Sequence, residues 1–205
     1  MASKAKAKAE AGKPPRIDGR RERSRSSRAR IVGAMLDLID RGDLSPSAAR
    51  VAEEAGVGLR TVFRQFDDMD TLYREMSETI AERVLPIVTA PYAGIDWRAD
   101  VRDLAARRVR VFETMLPFRL AANIKRYQSP FLMGQYGQVV ALERDLLFRL
   151  LPDDVLADKV GREALCVALS FQTWRALRHD QGLTVEEAGA VVAQMVEALV
   201  KGSGR

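Results

Sequence analysis

Apolar residues recur at intervals of three and four along most of the chain, and few stretches alternate with the period of two that a strand needs. The pattern predicts an all-α protein. Ile31, Met35, Leu38 and Ile39 fall on one face of a helix over residues 26–41, which Gly42 ends. Ser45-Pro46-Ser47 has the make-up of a helix start, with Ser47 or Ser45 as N-cap and Pro in or near the first turn. A second helix over 47–55 turns Val51, Ala52 and Ala55 inward. Gly56 supplies a turn, and a third helix over 59–66 follows within three residues.

The remainder is also helical. Leu72, Met76, Ile80 and Val84 repeat at four along a fourth helix over 70–88, with Asp70 as its N-cap and Pro86 to kink or end it. After a loop at 91–95, Asp96 caps a helix reaching about residue 115, and Pro117 begins a shorter one reaching about 127. Ser129-Pro130 opens another, which Pro152-Asp153 stops after residue 151. A long helix is expected over 158–180, with Val160, Ala164, Val167, Phe171 and Trp174 on one side. Thr184 and Glu187 have capping-box spacing at the start of the last helix. That helix carries one stripe of Ala188, Val192, Met195 and Leu199, and a small-residue surface of Gly189, Ala190 and Ala193. These last two helices present more apolar surface than one copy readily hides.

Two short helices joined by a three-residue turn containing Gly form a helix-turn-helix pattern. Ala52 is small where the helices must cross, Gly56 can take positive φ, Val57 plugs the corner, and Val62 and Phe66 anchor the third helix. The outward side of that helix is then Arg60, Thr61, Arg64 and Gln65. Arg suits guanine, Gln suits adenine, and Thr suits phosphate or a thymine methyl. Phe63 reads two ways. Its spacing from Leu59 suits a core stripe, and its place between Val62 and Arg64 also permits a ring facing the groove.

Charge strengthens the nucleic-acid reading. The net charge of the 205 residues is +5, yet residues 1–30 hold 11 Lys/Arg against 3 Asp/Glu, and the rest is slightly acidic. Residues 1–25 are expected to be a disordered basic arm for a polyanion, with Arg25 and Arg28 in an Arg cluster suited to phosphates and narrow minor grooves. One Cys166 and one His179 exclude a disulfide framework and make a metal site improbable. No Gly-rich phosphate loop and no Ser/His/Asp arrangement stands in the sequence, so neither catalysis nor a cofactor is expected. No apolar run approaches the roughly 18 residues of a membrane span, which makes a cytoplasmic protein the default.

Residues 31–76 resemble the DNA-binding domain of the tetracycline-repressor (TetR) family. The matching stretch is SAARVAEEAGVGLRTVFRQFDDMDTLYREM, residues 47–76. It carries an N-capping Ser, A-x-x-A-G-V, an aromatic two residues after Thr61, a terminal aromatic and a Leu early in the fourth helix. The resemblance implies that Ser47 caps the second helix and touches phosphate, that Thr61 and Phe63 contact the DNA backbone or bases, and that Arg64 enters the major groove. Phe63 stands where Tyr is commoner. Met69 stands where a phosphate-binding Lys is frequent, flanked by Asp67, Asp68 and Asp70.

The same resemblance implies an organisation: a helix-turn-helix domain over 26–72 and a helical regulatory and dimerisation domain over 73–201. It implies a homodimer through the last two helices on double-stranded operator DNA, and a repressor released by a small, largely apolar effector. A ligand-independent or protein-regulated DNA binder and an activator are the alternatives. Phe112, Met115, Phe118, Met133, Tyr136, Phe171 and Trp174 are the candidate walls of the effector cavity, with Tyr136, Gln172 and Asn123 as polar handles. Ordinary core packing is the alternative for each.

Overall fold

In the computed structural model, residues 19–202 are described; they form helices joined by short connections, with no strand among them. Residues 1–18 of the expected basic arm lie outside the described residues. The chain is all-α, as its periodicity predicts.

Helix α1 (Gly19–Asp40) begins about two turns earlier than the apolar pattern indicates. Residues 19–25 of the expected disordered arm are therefore helical. Arg, Glu and Ser in this stretch all tolerate a helix, and the Pro14-Pro15 breaker lies upstream. α1 ends in a Schellman motif: Gly42, at φ +97°, donates to Ile39 O at 2.9 Å, and Asp43 donates to Leu38 O at 3.0 Å. Helix α2 (Ala48–Glu54) starts at Ser47, whose hydroxyl accepts from Arg50 N at 3.2 Å. It ends in the same motif. Gly56, at φ +61°, donates to Glu53 O at 3.0 Å and Val57 to Ala52 O at 3.0 Å. Helix α3 (Leu59–Gln65) follows at once.

Helix α4 (Met69–Val88) is capped by Asp68, not by Asp70: the Asp68 carboxylate accepts from Thr71 N at 2.7 Å and from Thr71 Oγ1 at 2.8 Å. These bonds, the backbone one foremost, hold the Asp68 carboxyl below its ordinary value. Asp70 serves the next layer. It accepts from Ser129 Oγ at 2.6 Å, and Ser129, which is buried, caps helix α6 (Pro130–Phe148) by accepting from Leu132 N at 3.0 Å. The acids at the start of α4 thus fix two helix starts.

Helix α5 (Trp97–Lys125) runs unbroken through Pro117, where two helices were expected. Proline inside a helix costs on the order of 3 kcal/mol. α5 offsets that cost by burial along most of its length, including Val101, Leu104, Phe112, Phe118 and Ala121. The expected helix over 158–180 is divided instead. After a short helix α7 (Asp153–Ala157), which the sequence pattern does not reveal, come α8 (Lys159–Ala168) and α9 (Phe171–Arg175), the latter continued by a π turn at Ala176–Asp180. The Ser170 hydroxyl caps α9 by accepting from Thr173 N at 3.2 Å. The break splits the expected apolar side: Phe171 and Trp174 are each 1% exposed, whereas Val160 is 80% and Val167 65% exposed. Helix α10 (Val185–Gly202) closes the fold, with Thr184 and Glu187 bonded reciprocally as a capping box.

Two apolar cores result. One gathers α1, α2, α3 and the first half of α4, together with Phe118 and Ala121 of α5. The other gathers the rest of α5 with α8, α9 and α10, around Phe112, Leu147, Phe171 and Trp174. α4 and α5 contribute to both, so the two cores are packed through shared helices.

Candidate nucleic-acid interface and ligand cavity

The turn between α2 and α3 is locked from behind. Arg30 of α1 donates to Gly56 O at 2.7 Å and, through Nε, to Ala55 O at 3.0 Å, covering carbonyls left over at the end of α2. A Cβ on Gly56 would stand 3.1 Å from that guanidinium. Val62 is buried beneath α3, and Phe66 beyond its end.

Pinned this way, α3 turns Leu59, Arg60, Phe63 and Arg64 outward. Phe63 is 60% exposed, which removes the core reading of its ring. Arg60 and Arg64 are one helical turn apart, and neither has an ion-pair partner among the described residues; exposed Arg25 on α1 has none either. Thr61 is half-buried, and Ser47 is exposed at the start of α2.

Two residues expected at DNA bond to other parts of the protein. Arg28 forms an ion pair with Glu75 of α4, donates to the main-chain oxygen of Gln65, and lies over the Phe66 ring at 4.3 Å. It ties α1 to α3 and α4, a role invisible from a cluster of arginines. The Gln65 amide exchanges a 3.1 Å hydrogen bond with the Ser24 hydroxyl of α1.

A cavity of about 160 Å³ lies where the two cores meet, walled by α1, the α1–α2 connection, α4, α5 and α6. Of the seven side chains expected to line it, Met115, Phe118 and Tyr136 do. The other four do not. Phe112 and Phe171 pack edge to face in the second core, with centroids 5.6 Å apart and planes at 84°. Trp174 is buried with Nε1 donating to Glu113 at 3.1 Å, and Met133 is 40% exposed. Asn123 lines the cavity. Gln172 instead donates to the Tyr136 hydroxyl at 2.9 Å and helps hold that ring.

Several walls escape a reading of the middle helices alone. Met35 and Ile39 belong to the apolar stripe of α1, Met76 and Ile80 to that of α4, and Pro46 to the helix-start signal before α2. Its polar lining includes Ser77, Gln135, Arg119, Lys125 and Arg126. The cavity thus shares side chains with the core that carries α3.

No family model matches the chain, and no curated protein matches it. Solved structures do. A transcriptional regulator from Rhodococcus sp. Rha1 superposes with a TM-score of 0.64 at 16% identity, over 86% of this chain and 97% of its own. A protein from Mesorhizobium loti MAFF303099, assigned to the TetR family of transcriptional regulators, gives 0.51 at 16% identity, over 89% and 99%. This chain shares their fold. Among the described residues no helix is long and apolar enough to cross a membrane.

Proposed function

We propose that the chain is a DNA-binding transcriptional regulator of the TetR type, a homodimeric repressor that leaves its operator when a small molecule fills the cavity between the cores. The observation that carries the reading is the outer face of α3. Two arginines without acidic partners among the described residues and an exposed aromatic ring stand on a short helix fixed by a Gly turn, which suits entry into the major groove. In this reading residues 26–72 bind DNA, residues 73–201 regulate and dimerise, and the basic residues before 26 add phosphate contacts.

The cavity supports the regulatory half. Its walls include Met35, Ile39 and Pro46, so a ligand that changes their spacing changes the platform under α3. Affinity for DNA and for ligand are then coupled, and each must weaken the other equally. The apolar side chains that α8 and α10 leave exposed, Val160, Val167 and Val185, support a dimer through these helices.

The test is fluorescence anisotropy on the DNA flanking the protein's own gene, at two salt concentrations. Binding tighter than to scrambled DNA is expected, and it should be lost in the double variant Arg60→Ala/Arg64→Ala. Equal affinity for scrambled DNA would overturn the reading.

A further inference from the structure

The cavity between the cores holds an imbalance of charge. Three cations, Arg119, Lys125 and Arg126, are among its lining residues, and no Asp or Glu is. Arg119 is answered from outside the lining: it pairs with Glu143 at 2.6 Å, and its guanidinium lies over the Phe171 ring at 3.8 Å. The Lys125 ammonium has no ion pair or hydrogen bond among the described residues. Arg126 is held firmly but without an anion. It donates to Asn123 Oδ1 at 3.1 Å and to the Tyr127 hydroxyl at 2.8 Å, and lies over the Tyr136 ring at 4.2 Å. Its Nε–H is buried with no acceptor among the described residues.

A buried donor left unpaired is costly, and a charged one more so. The excess of cations along the lining suits a negatively charged ligand group, and charge-assisted bonds to a guanidinium or ammonium are the strongest available. Most of the remaining wall is apolar and includes Met76, Ile80, Met115, Phe118 and Leu132. A cavity near 150 Å³ accepts a single six-membered ring.

We propose that the cavity binds a small monocarboxylate: one ring or a short branched chain against the methionine, isoleucine and phenylalanine side chains, with its carboxylate at Arg126 and Lys125. The inference rests on reading this cavity as the effector site and names the effector's chemistry. It also assigns the specificity. A neutral molecule of the same shape fills the apolar part and leaves both cations unanswered.

The experiment is isothermal titration calorimetry on the full chain without DNA. The probes are benzoate, phenylacetate, cyclohexanecarboxylate and hexanoate, each beside its primary amide. At least one acid should bind, and bind at least tenfold tighter than its amide. The double variant Lys125→Gln/Arg126→Gln should weaken that acid at least tenfold and leave the amide within about twofold. Ala122→Phe, which fills the cavity, should abolish binding of both. Failure of all four acids at millimolar concentration would overturn the proposal, as would amides binding as tightly as the acids. The acid–amide comparison uses the unaltered protein, so it decides even where a variant does not fold. Anisotropy on operator DNA is run separately. An acid that binds without altering DNA affinity supports the site and overturns ligand release, whereas the absence of specific DNA binding overturns the regulator reading alone.

Discussion

Arg108, in the middle of α5, donates through Nη1 to the carbonyl oxygen of Leu169 at 2.7 Å, at the point where α8 gives way to α9. Arg108 is 7% exposed, and its other end donates to the Glu143 carbonyl of α6. Burial pushes its guanidinium below the ordinary value. It starts so high that it remains charged at neutral pH. One side chain therefore satisfies main-chain oxygens of two other elements and fixes the break that separates α8 from α9. Arg108→Ala leaves both oxygens without this donor and opens a void. The expected loss is about 3 kcal/mol or more, read as a lowered urea midpoint. Arg108→Lys should recover only part of it, because an ammonium lacks the fork that spans both carbonyls.

Gly56→Ala tests the helix-turn-helix corner. The substitution forces a left-handed φ on a residue with a Cβ, at about 1–2 kcal/mol, and brings that atom to 3.1 Å from Arg30. Thermal unfolding should begin earlier, and DNA affinity should fall with it, because the turn orients α3. Gly58→Ala is the control. Gly58 lies beside the same turn in an extended conformation with open space about it, so its stability should change little.

Arg28 and Arg64 look alike in sequence and are expected to behave oppositely. Arg28→Gln removes the ion pair to Glu75 and the stack on Phe66 and should cost about 1–2 kcal/mol of stability. Arg64→Ala should leave the unfolding midpoint within about 0.5 kcal/mol. It should weaken operator binding by about 1–3 kcal/mol. Measuring urea midpoints and anisotropy on both variants separates a joint within the protein from a contact to DNA.

These residues also show how far the fold is legible in the sequence. The corner is readable because its signals are local: Gly56 ends α2, Val51 and Val62 face inward at helical spacing, and Ser47 caps. The partners of Arg28 are not, since Glu75 lies 47 positions away. The α8–α9 break depends in part on Arg108, 61 positions from Leu169, and periodicity across 158–180 carries no trace of it. Pro117 gives the opposite error. It reads locally as a stop, and only the burial of α5 on both of its sides overrides it. The cavity is half legible for a related reason. An aromatic residue on a middle helix is wall or core according to the rotation of that helix, and nothing near Phe112 or Phe118 distinguishes the two.

Glu113 gives the fold a pH dependence. Arg178 bonds it through Nε at 3.0 Å and a second nitrogen at 2.7 Å, and Trp174 adds a third bond. The Arg178 bonds foremost hold the Glu113 carboxyl below its ordinary value. A carboxyl depressed in the folded state contributes stability that is complete above the ordinary carboxylate range and is lost as pH falls through its folded value. The urea midpoint should therefore decline as pH falls below the ordinary carboxylate range and through the lower folded-state value. Glu113→Gln should lower the midpoint near neutrality and flatten that decline. An unchanged slope would remove Glu113 from the account.

The basic segment before α1 offers the last test. Residues 1–18 contain five Lys/Arg against two acidic residues, and among the described side chains of α1 the first fully buried one is Ile31. A chain beginning at Gly19 should keep its thermal midpoint, whereas cutting further, to residue 25, removes Ser24 and with it the bond to Gln65. If the segment lies along phosphates, removing one basic side chain from a phosphate makes the dependence of log affinity on log salt shallower by about 0.9. Deleting residues 1–18 is then expected to reduce the slope by at least about 2 and to weaken operator and scrambled DNA alike. A weakening confined to the operator would mean that the segment reads sequence through the minor groove. An unchanged affinity and slope would leave DNA binding to Arg60, Arg64 and their neighbours on α3.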